Sequence, residues 1–239
     1  MDRKEIAYGL DFIEQGGIKL FRGHPVLSGL SGVPAERFEE LLLQRRLLAF
    51  GFDAMYNGAI CGLSDPQARA LARETYRDEF AYSNHREDAV LDMEHIGIPR
   101  GRILRTDGTH ATQQAMQGMI DAVQYCEQGP LQDTRLIAAL RFGGEVLPGV
   151  EHALLLPELG RRYGLKTEDS VYFAPHAAHD AKRVPLGEEG ASHADRYGCV
   201  LVAAIAGAPE DAQMQFVNTT TAALSTMMCI RGRFYDQFR

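Results

Sequence analysis

Apolar residues in this chain recur at three- and four-residue intervals, and no stretch sustains the two-residue alternation of a strand. Between Pro34 and Ile60, the residues Phe38, Leu41, Leu42, Leu48, Phe52, Met55 and Ile60 keep that spacing. They predict one long amphipathic helix with Pro34 near its first turn. Residues 5–22 carry a weaker pattern interrupted by Gly16-Gly17, which predicts a short helix with a break. Ser64-Asp65-Pro66 combines a capping side chain with a proline at the first helical position. The helix it starts spans roughly 66–97, acidic on one side through Glu74, Asp78, Glu79, Glu87 and Asp88, and stops at Gly97 and Pro99.

Beyond Pro99 a basic loop to Arg105 leads to a helix over 111–127, closed by Gln128-Gly129-Pro130. The helix predicted over 131–163 contains Gly143, Gly144, Pro148 and Pro157, so kinks or a break are expected within it. After a loop at 164–168 comes a helix bearing histidines and an aspartate, which Pro185, Leu186 and Gly187 end. Two final helices follow over 190–206 and 209–235, the second announced by Pro209-Glu210-Asp211. The pattern sums to about seven helices with short loops, without a linker, repeat or low-complexity tract. It predicts a single-domain all-α bundle over residues 1–239.

Composition narrows the function more than the fold. The 239 residues suffice for a sizeable core, and a net charge of −7 argues against a nucleic-acid partner or polybasic membrane docking. No apolar run reaches the length of a membrane span, and MDRKEIAYGLDFIEQ lacks the apolar core of a secretory signal. Cys61, Cys126, Cys199 and Cys229 form no CxxC pair and read as reduced thiols of a cytoplasmic protein. The apolar C-terminal helix with Leu224, Met227, Met228 and Ile230 suits either core or a homodimer surface.

The chain has no GxSxG, P-loop or GxGxxG, so the chemistry rests on carboxylates and histidines on helices, a ligand set that suits non-haem iron or manganese. Glu145 stands among apolar residues, where an unpaired carboxylate is costly, with Glu151-His152 as a competing pair on the same helix. His176 and Asp180 lie one helical turn apart, His179 flanks them, and Arg183 sits about two turns from His176. Glu79 and His85 are separated by about 120° on an ideal helix and converge only if that helix unwinds; otherwise they are part of a solvated acidic face. His24-Pro25 reads as a turn, with a haem-ligand role as the sharper alternative.

These residues carry a resemblance to the haem-oxygenase-like diiron oxidase superfamily, which includes p-aminobenzoate-forming proteins, fatty-acid decarboxylases and N-oxygenases. Its ligands are a Glu and a His on one helix, a Glu on the next, and His-x3-Asp-x2-His on the last. The segment from Asp65 to Ile98, with ARETYRDE leading into Asn84-His85, is similar to the first of these. Glu145 through Tyr163-Gly164 to Tyr172-Phe173 and His176 resembles the other two. The resemblance covers about half the chain and implies Glu79, His85, Glu145, His176 and Asp180 as metal ligands. Between Glu79 and His85 this chain is one residue short of the family pattern, so Asp78 is a substitute for Glu79.

Where the family has its last histidine this chain has Arg183, and a guanidinium offers a metal no lone pair. His179 or His193 could replace the missing ligand. The alternative favoured on sequence is a depleted second iron site, with Arg183 binding an anionic substrate group. The implied activity is an Fe- and O2-dependent oxidase or oxygenase acting on a small amino-acid-derived or carboxylate-bearing molecule, with an external electron donor. Arg100, Arg102 and Arg105 are further anion partners or, more simply, solvated surface charge. Two rival readings stand beside it: a cofactorless enzyme of the same fold, similar to quinone-cofactor synthases or thiaminases, and a non-catalytic small-molecule-binding protein.

Overall fold

Asp2 starts the first helix by accepting from the backbone N–H groups of Lys4 (2.7 Å) and Glu5 (2.9 Å), while the Glu5 carboxylate takes the N–H of Asp2 at 2.8 Å. This reciprocal cap begins α1 (Arg3–Arg22), which runs unbroken through Gly16-Gly17. The expected break is absent for a packing reason. A side chain at Gly17 would place its Cβ 2.8 Å from Leu224 Cδ2, so the glycine allows close approach to the C-terminal helix.

A computed structural model describes residues 1–82, 85–124, 129–179 and 184–239, and among these no strand occurs. After α1 come α2 (Pro25–Ser28), α3 (Ala35–Leu48), α4 (Phe50–Gly62), α5 (Pro66–Arg77), α6 (His85–His95), α7 (Arg100–Arg105) and α8 (His110–Val123). The remainder comprises α9 (Pro130–Ala139), α10 (Leu147–Tyr163), α11 (Phe173–His179), α12 (His193–Ala206) and α13 (Gln213–Asp236). The architecture is an all-α bundle, with no helix among the described residues long and apolar enough to cross a membrane.

Several predicted helices are divided. The expected 34–60 helix is two, α3 and α4, meeting at Ala49. The basic loop after Pro99 contains α7, whose Arg100 pairs with Glu87 (2.6 Å) and Glu94 (2.8 Å) and whose Arg102 pairs with Glu39. Those arginines are engaged at the surface, so the simpler reading of the basic run holds for them. His24 is likewise structural: its Nε2 lies 3.1 Å from Asp236 Oδ1 and its Nδ1 accepts from the Val26 N–H.

Helix α13 packs along α1, α8 and α9, with Leu224 and Met227 buried and Met228 and Ile230 partly buried against the core. Those four residues therefore serve the core, while Met214 at the start of α13 and Tyr8, Phe12 and Leu20 on α1 are exposed. Two buried ionic contacts lock the interior. Arg141 makes a bidentate pair with Glu14 (2.8 and 2.9 Å), and Glu151 accepts from both Arg45 and Arg231 at 2.6 Å each.

Candidate metal centre

Two widened turns deliver the acidic residues. Asp78–Tyr82 is π-helical between α5 and the start of α6, and Leu140–Val146 is π-helical between α9 and α10. An i→i+5 turn holds one more residue than an α-turn and shifts the angular register of the residues beyond it. That change supplies the unwinding that convergence of Glu79 and His85 requires. Their Oε2 and Nδ1 atoms stand 3.1 Å apart. In the second π-segment, Gly144 leaves room for Tyr56. A Cβ there would come 2.6 Å from the Tyr56 hydroxyl, which donates to Glu145 Oε1.

The two oxygens of Glu79 face different imidazoles. Oε2 lies 3.1 Å from His85 Nδ1 and 3.7 Å from His176 Nε2, and those two nitrogens are 2.9 Å apart. Oε1 lies 3.7 Å from His193 Nδ1, which is also 3.6 Å from Glu145 Oε2. His193 Nε2 reaches Asp78 Oδ2 at 3.2 Å. The structure thus links Asp78, Glu79, His85, Glu145, His176 and His193 in one chain of contacts, with Glu79, His85 and His176 as its compact group and His193 carrying the links to Glu145 and Asp78. Asp180 and Arg183 lie outside the described residues, as does the side chain of His179.

Supporting contacts fix the imidazoles. His176 Nδ1 sits 2.6 Å from its own-turn carbonyl at Tyr172, which places a proton on Nδ1 and turns Nε2 toward Glu79 and His85. Asp92 of α6 accepts from Ser170 Oγ (2.6 Å) and from the N–H groups of Val171 (2.8 Å), Tyr172 and Phe173 (3.0 Å each). The helix that begins at His85 therefore also caps the helix that carries His176, and ties the two histidines into one rigid unit. Sequence reading missed Tyr56 and Asp92. An acid between Leu91 and Met93 was the available signal for Asp92; nothing along the chain marked Tyr56.

The charged groups of the cluster shift one another. Burial alone would raise the Glu79 carboxyl, but the hydrogen bonds of His176 and His85 outweigh it and hold the group well below the usual range. Burial would lower His193; the Glu145 carboxylate, then Glu79 and Asp78, reverse this and push it up to about 9. Burial and the Glu145 charge drive the Tyr56 hydroxyl upward, so it remains a donor.

The donor set fits iron on two counts. Glu79 Oε1 is buried and makes no hydrogen bond among the described residues, an arrangement that a bound cation would relieve. Ligand atoms of Glu79, His85 and His176 also lie within 4.8 Å of one another, and imidazole with carboxylate suits non-haem iron.

Beside this cluster opens a small pocket, with a cavity volume of about 50 Å³. Phe50, Phe52, Tyr56, Phe80 and Tyr172 form its apolar wall, and Arg45, Arg46 and Arg86 also line it.

No known family model matches the sequence, and no curated protein matches it. Solved structures do. A domain of unknown function with a heme oxygenase-like fold from Shewanella denitrificans OS217 superposes with a TM-score of 0.65 at 14% identity, covering 98% of this chain and 89% of that one. The fold is haem-oxygenase-like. A TenA family transcription regulator from Silicibacter sp. TM1040 matches with a TM-score of 0.60 at 14% identity, covering 95% of this chain and 96% of its own. A TenA homologue from P. horikoshii OT3 reaches 0.57 at 15% identity, with 95% and 99% covered. Within this haem-oxygenase-like bundle, both π-segments carry acids that face the cluster.

The His193 shift gives a signed expectation for the metal-free protein. Its folded pKa of about 9 lies above the ordinary 6.5, so protonation contributes stability that is fully present below about pH 6.5 and is lost as pH rises through about 9. Urea denaturation is expected to show stability falling across that window, with the fall removed in His193→Asn. A flat profile in the parent protein would count against the arrangement.

Proposed function

We propose that the chain is a non-haem iron enzyme that uses O2 to oxidise a small, carboxylate-bearing molecule. The observation that carries this reading is the division of Glu79, one oxygen toward His85 and His176 and the other toward His193. Glu79, His85 and His176 would hold one iron; Glu145 and His193, with Asp78 at the edge, would help to hold a second across the Glu79 carboxylate. Asp180 joins the set by resemblance alone. The position of His193 supports it as the replacement for the histidine missing at Arg183, in preference to a depleted second site.

Iron, when bound, supplies the electrons that O2 takes up. The chain's own residues do the rest. Tyr56 keeps its proton and donates to Glu145 Oε1, which fixes that carboxylate's orientation. His193 must release a proton as a cation arrives, so iron affinity should rise with pH toward about 9. Phe50, Phe80 and Tyr172 line the approach and limit water around the cluster. An external electron donor completes repeated turnover.

A second reading is a metal-independent enzyme of this fold, and the similarity to two TenA proteins favours it. Against a thiol-based version, none of the described cysteines lines the pocket; Cys61 and Cys229 are exposed and Cys199 is half-buried elsewhere.

The test loads the protein with Fe(II) under anaerobic conditions, removes excess metal, admits O2 and follows ferric absorbance. Iron oxidation is expected about tenfold or more faster than in His176→Ala, the scale of a lost ligand or its support. Equal rates in the two proteins would contradict the reading.

A further inference from the structure

Arg45 and Arg231 are both buried, and Glu151 is the carboxylate that pairs with both. Arg231 spends a second N–H on the Gly143 carbonyl at 2.6 Å, and Arg45 Nη2 lies 3.4 Å from His152 Nε2. His152 adds no negative charge. Two buried cations thus share one anion. An excess charge in such surroundings is costly unless something neutralises it.

The excess charge has a direction. Arg45 Nη1 is buried, makes no hydrogen bond among the described residues, and belongs to a side chain that lines the pocket beside the metal cluster. Arg46, the next residue, also lines that pocket, and its Nε is buried without a hydrogen-bond partner among the described residues. Arg46 and Arg86 stand over the Phe50 ring at 5.1 and 4.9 Å, so the mouth of the pocket is positive as well. The metal cluster is close by: the His152 ring lies between Arg45 and His176, with its centroid 5.0 Å from that of His176.

We infer that Arg45 is the substrate's anion anchor: its guanidinium, incompletely partnered among the described residues, attracts a carboxylate on a molecule with an apolar body, and that body rests among Phe50, Phe52 and Tyr172 beside the histidine–carboxylate cluster. This deepens the proposed function and rests on it for the identity of the pocket as the active site, but the anchor itself needs no metal. A guanidinium suits a carboxylate through parallel N–H donors, and here it is held by Glu151 before the ligand arrives. Selectivity follows from charge. A carboxylate neutralises the buried excess, whereas a carboxamide of the same shape leaves it in place.

The experiment uses full-length protein, metal-free and, in parallel, loaded anaerobically with Fe(II) and assayed for iron content, with benzoate and octanoate as probes and benzamide and octanamide as neutral controls, read by calorimetry and thermal shift. At least one acid is expected to bind about tenfold or more tightly than its amide, and Arg45→Gln to abolish that preference while keeping the iron content of the parent. Acids and amides binding alike, or an acid preference that survives in Arg45→Gln, would overturn the assignment. So would acid binding that requires loaded iron and is indifferent to Arg45, because the metal would then be the anchor. If Arg45→Gln fails to fold, the acid–amide comparison on the parent protein still decides. Acid selectivity without iron retention would sink the iron reading and leave the anchor standing; iron retention without acid selectivity would do the reverse.

Discussion

Replacing Glu79 with alanine is expected to empty the metal centre rather than weaken one half of it. Glu79 is the residue whose two oxygens face both nitrogen groups, Oε2 toward His85 and His176 and Oε1 toward His193. Without it, His85 and His176 keep their 2.9 Å contact but lose the carboxylate that balances a cation, and His193 retains only Glu145 and Asp78 of the acids in the cluster. Iron content after anaerobic loading and desalting should fall by about tenfold or more, and O2-dependent activity with it. Asp78→Ala is the informative contrast. Its carboxylate touches His193 from a more exposed position, so a loss no larger than about twofold to threefold is expected. Equal losses in the two variants would mean that Asp78 has taken the role assigned to Glu79.

The largest effect on stability is expected at Glu151. Its carboxylate is fully buried and accepts from Arg45 Nε and Arg231 Nη1 at 2.6 Å each. Burial favours its neutral form, but Arg231 and Arg45 override that and hold it ionised. Glu151→Gln keeps the shape and strands two buried guanidinium groups without a counter-charge. Breaking such a network costs about 3–5 kcal/mol, and for a chain of this length that lowers Tm by about 10 °C. Arg45→Gln should cost clearly less, because Glu151 and Arg231 remain as a matched pair. Thermal and urea unfolding of the two variants measure the ordering. The reverse order would mean that the interior carries no excess positive charge.

The elements were legible in the sequence wherever local chemistry sets them. Asp65-Pro66 begins α5 with the Asp65 side chain accepting from the Ala68 N–H, and Gly97 takes a left-handed φ of 93° after α6. The features that stayed hidden depend on contacts distant along the chain. Gly16-Gly17 reads as a break, because only the Leu224 side chain across the bundle reveals why a glycine is needed there. The π-turns at 78–82 and 140–146 are only five and seven residues long, too short for the apolar periodicity to disclose them.

The same division holds for the site. Histidines and carboxylates were legible as candidate ligands because their residue types restrict the chemistry; Glu79, His85 and His176 do meet, and Glu145 reaches them through His193. His193 reads from sequence only as a substitute, since nothing near Ser192-His193 signals that α12 starts against Glu145. Arg45 was invisible as an anchor. It sits within an ordinary amphipathic run, and its significance comes from Glu151 and Arg231, 106 residues and more away in sequence.

The central claim is that one carboxylate, Glu79, joins two metal positions. Counting iron per chain after anaerobic Fe(II) loading tests it most directly, with the parent protein measured beside His193→Ala. The account expects about two irons in the parent and about one in the variant, since His85, His176 and Glu79 would keep the first position. No retained iron in the parent, or a count that His193→Ala leaves unchanged, would contradict it.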